Sequence, residues 1–273
     1  MAVVPRLKSN KKRNKKITPQ KLRILNFVVA GLYALQGALI LILSNSANGI
    51  QRITTGYISQ DKTASTAASK TITAQANHLL FDLNLAYIVA AFLFIGAAVH
   101  LLVSTRYRVG YEADLKNRVN RARWASYALS LGLIMLAVAL LSGIFDLSSL
   151  IMIFALTALV GIMGLMTERS MIGSKNIKWL PYLEGLKFGL IPWLVILIYA
   201  WGAYAYGSTI LTFVYFLYLT ALLLFVALFV NFYLQIKKMG RWEDYLFSEK
   251  SFIIISFIAS SAVAWQIFAG TLR

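Results

Sequence analysis

The chain has 273 residues, of which 59% are hydrophobic and 14% charged, with a net charge of +17. A soluble domain of this length would need far more polar surface than that, and the mean hydropathy of +0.69 points to lipid as the solvent. Cysteine is absent, which excludes disulfides, thiolate chemistry and cysteine metal sites.

Residues 1–23 form a basic tail with Lys8, Lys11, Lys12, Arg13, Lys15 and Lys16. A disordered arm touching anionic headgroups is the simplest reading, at roughly 1 kcal/mol per basic residue near the surface. RNA or a protein partner is the alternative, and nucleic acid is not expected. The first apolar run is too long for a signal-peptide core and lacks a cleavage site after it, so no cleavable leader is expected.

Beyond the tail, apolar runs recur at 24–45, 79–104, 124–143, 148–167, 181–205, 209–235 and 251–270. Each is long enough to cross a hydrocarbon core, which takes roughly 20 residues at ~1.5 Å rise. Backbone groups in lipid must satisfy one another, so these runs are helices. The expected fold is therefore all-α, a bundle of seven transmembrane helices in one membrane domain over 24–273.

Between the first two spans lies the one long loop, 46–78, rich in Ser, Thr and Ala. Ile53, Thr55 and Tyr57 alternate with polar or small residues, and 70–73 alternates again, which predicts a small β-hairpin. The short loops at 144–147 and 206–208 predict that spans three and four, and spans five and six, are antiparallel neighbours.

Alternate loops carry the charge. Lys and Arg number nine in 1–23, six in 105–123, three in 168–178 and four in 236–250, against Arg52, Lys62, Lys70 and Arg273 on the other side. That 22-to-4 bias predicts a cell-membrane protein with a cytoplasmic N-terminus and an extracellular C-terminus.

Chemistry-bearing patterns are scarce. No HExxH, phosphate-binding loop, carboxylate pair or nucleophile–base pair occurs. Asp61, Glu112, Asp114, Asp146, Glu168, Glu243, Asp244 and Glu249 lie in or beside loops and are expected to be solvated charges. The six tryptophans, Trp124, Trp179, Trp193, Trp201, Trp242 and Trp265, mostly fall near span ends, as an aromatic belt does. Asp82 and Asn84 are placed near the outer end of the second span, within reach of water. His100, near its inner end, is expected to be buried and hydrogen-bonded, with proton transfer as the alternative. Glu184 and Lys187, spaced i, i+3, can pair on one face of the fifth span. Asn26, Gln36 and Asn231 are expected to bond between helices. Without a chain of acids across the membrane, internal repeats or metal ligands, an enzyme, pump or ion-coupled carrier is disfavoured.

Several stretches resemble the heliorhodopsins, the inverted-topology branch of the microbial rhodopsins: LRILNFVVAGLYALQG at 22–37, FDLNLAY at 81–87, AAVH at 97–100, NRARWASYALS at 120–130, WLPYLEGLKFGLIPW at 179–193 and GRWEDYLFSEKSFIIISFIASSAVAWQIFAGTL at 240–272. The resemblance implies retinal held as a Schiff base on a lysine of the last helix, a light-signalling role and a homodimer built on the outward loop and the fourth and fifth helices. It also implies a ligand pocket at Tyr33, His100, Ser126, Tyr127, Ser130, Ser256, Ser260 and Trp265. At the functional positions this chain departs from the pattern. Ser256 matches the family serine that stands four residues before the retinal lysine, and the lysine position itself is Ser260. Ser126 stands where the family has its counterion glutamate, after Arg123-Trp124-Ala125. Tyr33 replaces a histidine on the first helix, and His100 matches the histidine of the second. Lys250 lies ten residues before Ser260, about 15 Å along a helix, and cannot substitute.

Losing the lysine and its counterion together is physically coherent. Stranding one buried charge costs about 3–5 kcal/mol, whereas two small hydroxyls can bond locally. The reading is a protein without covalently bound retinal or other cofactor, acting as a non-photochemical sensor, regulatory or interaction module. Its expected partners are the bilayer, a second copy, a cytoplasmic protein or a lysine-bearing heliorhodopsin. The alternatives are a noncovalent binder of retinal, another isoprenoid or lipid in the vacated pocket, or a light sensor with retinal relocated to Lys187.

Overall fold

The computed structural model describes residues 17–62, 65–66, 71, 73–174, 176–207 and 210–273. The basic tail before residue 17, together with Lys70 and Ile72 of the anticipated second strand, lies outside the described residues.

Seven helices among the described residues are long and apolar enough to span a membrane. They are α1 (Pro19–Leu43), α2 (Leu85–Ser104), α4 (Arg121–Leu141), α5 (Leu147–Ser170), α6 (Leu180–Ala205), α7 (Thr212–Lys237) and α8 (Tyr245–Ile267), the last continuing as a π turn over Phe268–Leu272. A short helix, α3 (Arg108–Lys116), was not expected within the basic loop 105–123. Side-chain caps set several starts. The side-chain oxygens of Thr18, Asn84, Asn120, Asp146 and Asp244 accept backbone N–H bonds from the first turns of α1, α2, α4, α5 and α8. Each satisfies a donor that the helix geometry leaves orphaned.

The second span is shorter than expected. Residues 79–84 belong to strand β2 (Thr73–Asn84), which pairs antiparallel with β1 (Ile50–Gln60) from Ile50↔Asn84 to Gln60↔Thr73. The apolar run Leu79–Phe81 looks continuous with the helix, but the ladder claims it and Asn84 starts the helix only at Leu85. Asp82 therefore sits in the sheet opposite Arg52, rather than on a helix. The hairpin is also far longer than the small one anticipated. Of the alternating residues only Ile53 is buried, while Tyr57 is exposed. The last helix errs the other way: it starts six residues before 251, because Asp244 caps it at Tyr245.

The helices form a ring. α1 packs on α2 and α8, α2 on α4, α4 on α5, α5 on α6, and α7 on α8. At Gly161 of α5 the α4 backbone lies so near that a Cβ would stand 2.7 Å from the Trp124 carbonyl oxygen and 2.8 Å from the Ala128 nitrogen. The expected pairing of spans three and four is thus a close one. Spans five and six meet through long side chains instead. The Tyr182 hydroxyl of α6 donates to the Phe229 carbonyl of α7 at 3.2 Å, and Gly189 faces the Phe225 ring.

The hairpin is fastened to the bundle. Thr54 N–H donates to the Phe145 carbonyl at 3.0 Å and Gly56 N–H to Asp146 Oδ1 at 3.2 Å, in the turn between α4 and α5. The C-terminus locks the same end. Leu272 is buried, its carbonyl accepts from Asn45 N–H at 2.7 Å, and its side chain lies against Gly49, whose φ of +70° and lack of Cβ both suit the position.

Candidate functional site

Four of the expected pocket residues converge at mid-bundle. Tyr33 of α1, Tyr127 of α4, and Ser256 and Ser260 of α8 are all buried. The Tyr33 hydroxyl lies beside Ser260 and Ser256, and the Tyr127 hydroxyl beside Ser256. Tyr127 donates to the Phe252 carbonyl at 3.3 Å, and Ser256 Oγ to the same carbonyl at 2.8 Å. A buried hydroxyl without a partner would cost about 1–3 kcal/mol, and the Phe252 carbonyl spares Tyr127 and Ser256 that cost.

The Tyr33 ring is fixed from three sides. It stacks on His100 at 5.8 Å, meets Phe257 edge-on at 5.1 Å and lies over Gly96, where a Cβ would come within 3.1 Å of it. His100 is half-buried rather than buried, and its Nδ1 is 2.6 Å from Asn26 Oδ1.

Ser126 is buried and lines a pocket of about 20 Å³ with His100, Tyr127, Ser256 and Glu249, so it adjoins the same group. The remaining expected residues stand apart. Ser130 reaches the Phe92 carbonyl only at 3.5 Å. Trp265 donates to Gln36 Oε1 at 3.1 Å, which gives Gln36 its interhelical role. Lys187 pairs with Glu184 at 2.8 Å, but its side chain is 66% exposed on the outer surface of α6.

An apolar cavity of about 50 Å³ lies beside the hydroxyl cluster, lined by α4, α5, α6, α7 and α8. Leu131, Met135, Tyr182, Phe225 and Phe229 are among its walls, and Tyr127 borders it, whereas Ser256, Ser260 and Tyr33 do not.

The most polar feature of the interior was missed from sequence. Glu168 and Glu249, expected to be solvated loop charges, are buried, and both pair with the equally buried Arg123. Glu168 further accepts from Asn120 N–H at 3.0 Å, Trp124 Nε1 at 2.6 Å, Gln235 Nε2 at 2.8 Å and the Tyr245 hydroxyl at 3.1 Å. Glu249 accepts from Asn120 Nδ2 at 2.5 Å and the Tyr111 hydroxyl at 3.2 Å. Tyr111 comes from α3, outside the membrane spans. Burial, and then the Glu249 charge, push its phenol well above its ordinary pKa, so it stays a donor. The network runs on through Asn26 to His100, since Asn26 Nδ2 donates to the Tyr111 oxygen at 3.3 Å. The guanidinium also lies over the Phe252 ring at 4.0 Å. Trp124, placed in an interfacial belt from sequence, is buried in this cluster, and Trp193 is buried within α6.

The caps were the available signal. With Asn120 and Asp244 as N-caps, Arg123 and Glu249 fall in the first turns of their helices, and Glu168 is in the last turn of α5. All three then share one end of the bundle. Nothing in the sequence says that they face inward. Asp114 is buried as well, held by Arg121 at 3.4 Å and Tyr107 at 3.3 Å.

The fold and this interior define a seven-helix membrane protein with a polar core and a β-hairpin at one end. The heliorhodopsin family model matches residues 22–272, and the chain belongs to that family. A search of curated proteins gave no match.

Proposed function

We propose that this heliorhodopsin forms no retinal Schiff base and acts as a non-photochemical sensor, regulatory or interaction module of the membrane. One observation carries the reading: every described lysine, Lys21, Lys62, Lys116, Lys178, Lys187, Lys237, Lys238 and Lys250, is exposed. A Schiff base needs an amine, and among the described residues none is inside the bundle. At the position that corresponds to the family lysine, Ser260 is buried beside Tyr33. The substitution of Ser126 for the counterion fits the same loss, because no cation remains there for a carboxylate to balance. Relocation to Lys187 is opposed by its exposure and by its ion pair with Glu184.

On this reading the N-terminus and the basic loops are cytoplasmic, the hairpin is extracellular, and the module works as a homodimer or beside a lysine-bearing relative. Signals would leave through the basic face to a cytoplasmic protein. A sensor or interaction role of this kind is not enzymatic.

Noncovalent binding of retinal, another isoprenoid or a lipid chain is a second reading, favoured by the wholly apolar lining between α6 and α7. A volume of about 50 Å³ falls well below the ≈300–1,000 Å³ of ordinary ligand pockets, so Phe225 and Phe229 would have to swing aside.

The test is the absorption spectrum of the purified protein after incubation with all-trans retinal, followed by hydroxylamine. No red-shifted band is expected. A visible band bleached by hydroxylamine would overturn the proposal, and Lys187→Ala would then show whether that amine carries the chromophore. A shifted band insensitive to hydroxylamine would support the noncovalent reading.

A further inference from the structure

At the end of the bundle that carries α3, three turns enclose a cleft of about 300 Å³. Lys116 ends α3 and Arg118 follows it, Ile172 and Ser174 follow α5, and Lys238 follows α7. Glu168 forms the floor, but Arg123 and four other donors already saturate it. The rim cations are therefore not spent on the floor, and none of the three is in a salt bridge among the described residues.

Backbone conformation marks two of them. Arg118 and Lys238 have φ of +56° and +53°, and they are the only non-glycine residues at positive φ among the described residues. Both close their helices in the same way. Arg118 N–H bonds Leu115 O and Val119 N–H bonds Asp114 O; Lys238 N–H bonds Gln235 O and Met239 N–H bonds Leu234 O, all at 3.1 Å. Glycine is the usual residue at such an ending. An L side chain there costs roughly 1–2 kcal/mol. A cation near an exposed helix C-terminus returns only about 0.3–1 kcal/mol. Lys116 and Lys237, in the last turns of α3 and α7, already provide that compensation. Helix termination therefore does not explain why both strained positions are basic and line one cleft.

The electrostatic balance favours an anion. Three helix ends converge here, each worth about half a negative charge. Lys116, Arg118 and Lys238 carry three full positive charges against them. Of the acids nearby, Asp114 is held by Arg121 and Tyr107, Asp244 caps α8, and Glu243 is exposed and meets the rim through its backbone carbonyl, which accepts from Arg118 Nη2 at 3.4 Å.

We propose that this cleft is a binding site for a phosphate monoester, supplied either by the headgroup of an anionic lipid or by a soluble phosphorylated molecule. A monoester carries about −1.5 to −2 charges and three terminal oxygens. The Arg118 guanidinium matches those oxygens as a fork, and the two lysines act as point charges. The apolar wall at Ile172 accommodates the carbon skeleton that bears the phosphate.

The experiment uses the full chain in phosphatidylcholine nanodiscs and follows thermal unfolding by tryptophan fluorescence. Phosphatidic acid, phosphatidylglycerol at the same mole fraction, and soluble glycerol 3-phosphate are compared. The variant is Arg118→Gly with Lys238→Gly, which relieves both strained positions and is expected to fold at least as well as the parent. Phosphatidic acid is expected to raise the midpoint more than phosphatidylglycerol, and the variant to weaken its apparent affinity by roughly tenfold or more. A shift with glycerol 3-phosphate as well identifies a soluble source; a shift with phosphatidic acid alone identifies the lipid. Equal shifts from the two lipids would reduce the effect to diffuse surface charge and overturn the site. So would an undiminished shift in the variant, or no shift with any phosphate.

Discussion

Replacing Arg123 with methionine isolates what the buried ion cluster contributes. The guanidinium bridges Glu168 and Glu249, and its removal leaves two carboxylates in the interior without their cation. Breaking a buried pair from one side costs about 3–5 kcal/mol. Whole domains have only about 5–15 kcal/mol to lose, so the variant should sit near the edge of folding. The two acids differ in how much support remains. Glu168 keeps Asn120 N–H, Trp124, Gln235 and Tyr245, whereas Glu249 keeps only the Asn120 side chain and Tyr111. The destabilisation should therefore concentrate on Glu249. Arg123→Met with Glu249→Gln is expected to be more stable than Arg123→Met alone by at least about 1 kcal/mol, because the amide retains the shape without the charge. Titration of unfolding with SDS in mixed micelles, read by tryptophan fluorescence, measures both variants. An Arg123→Met protein within about 1 kcal/mol of the parent, or a double variant whose loss equals the sum of the single losses, would refute the account of a charge-compensated core.

Two further outcomes are expected. Tyr33→Phe removes the hydroxyl that lies beside Ser256 and Ser260 while keeping the ring packing on His100 and Phe257; it should lower stability by about 0.5–1.5 kcal/mol in the same micellar titration. Asp146 is held at about 2, below its ordinary 3.8, by the Ser148 hydroxyl, the Ser149 N–H and the Gly56 N–H in order of size, with burial opposing them between the last two. A depressed carboxylate stabilises the fold above its unfolded pKa and loses that contribution as pH falls through the folded one. Melting curves should thus show a stability loss between about pH 4 and pH 2 that Asp146→Asn lacks, together with a cap penalty for Asp146→Ala of about 0.5–2 kcal/mol at neutral pH.

Much of this molecule is legible along the chain. Hydropathy alone locates seven spans, since a backbone in lipid has no other way to satisfy its hydrogen bonds over that length. Composition excludes thiol chemistry, and spacing pairs Glu184 with Lys187, because i, i+3 neighbours on a helix meet whatever surrounds them. The stretches shared with the heliorhodopsins point to the family that the chain belongs to.

What sequence position could not decide is which way the residues at span ends turn. Glu168 and Glu249 stand where hydropathy falls away, and there a solvated and a buried carboxylate look alike in one dimension. Only the assembled ring brings Arg123, from a third helix, between them and makes burial affordable. The border at residues 79–84 was ambiguous for the same reason: an apolar run continues a helix or joins a ladder, and the choice fell to a partner strand some thirty residues away. Local periodicity and transfer energy fix the membrane spans and their number. Long-range pairing of charges, hydroxyls and strands depends on which faces the packed bundle turns inward, and tertiary structure alone settled that.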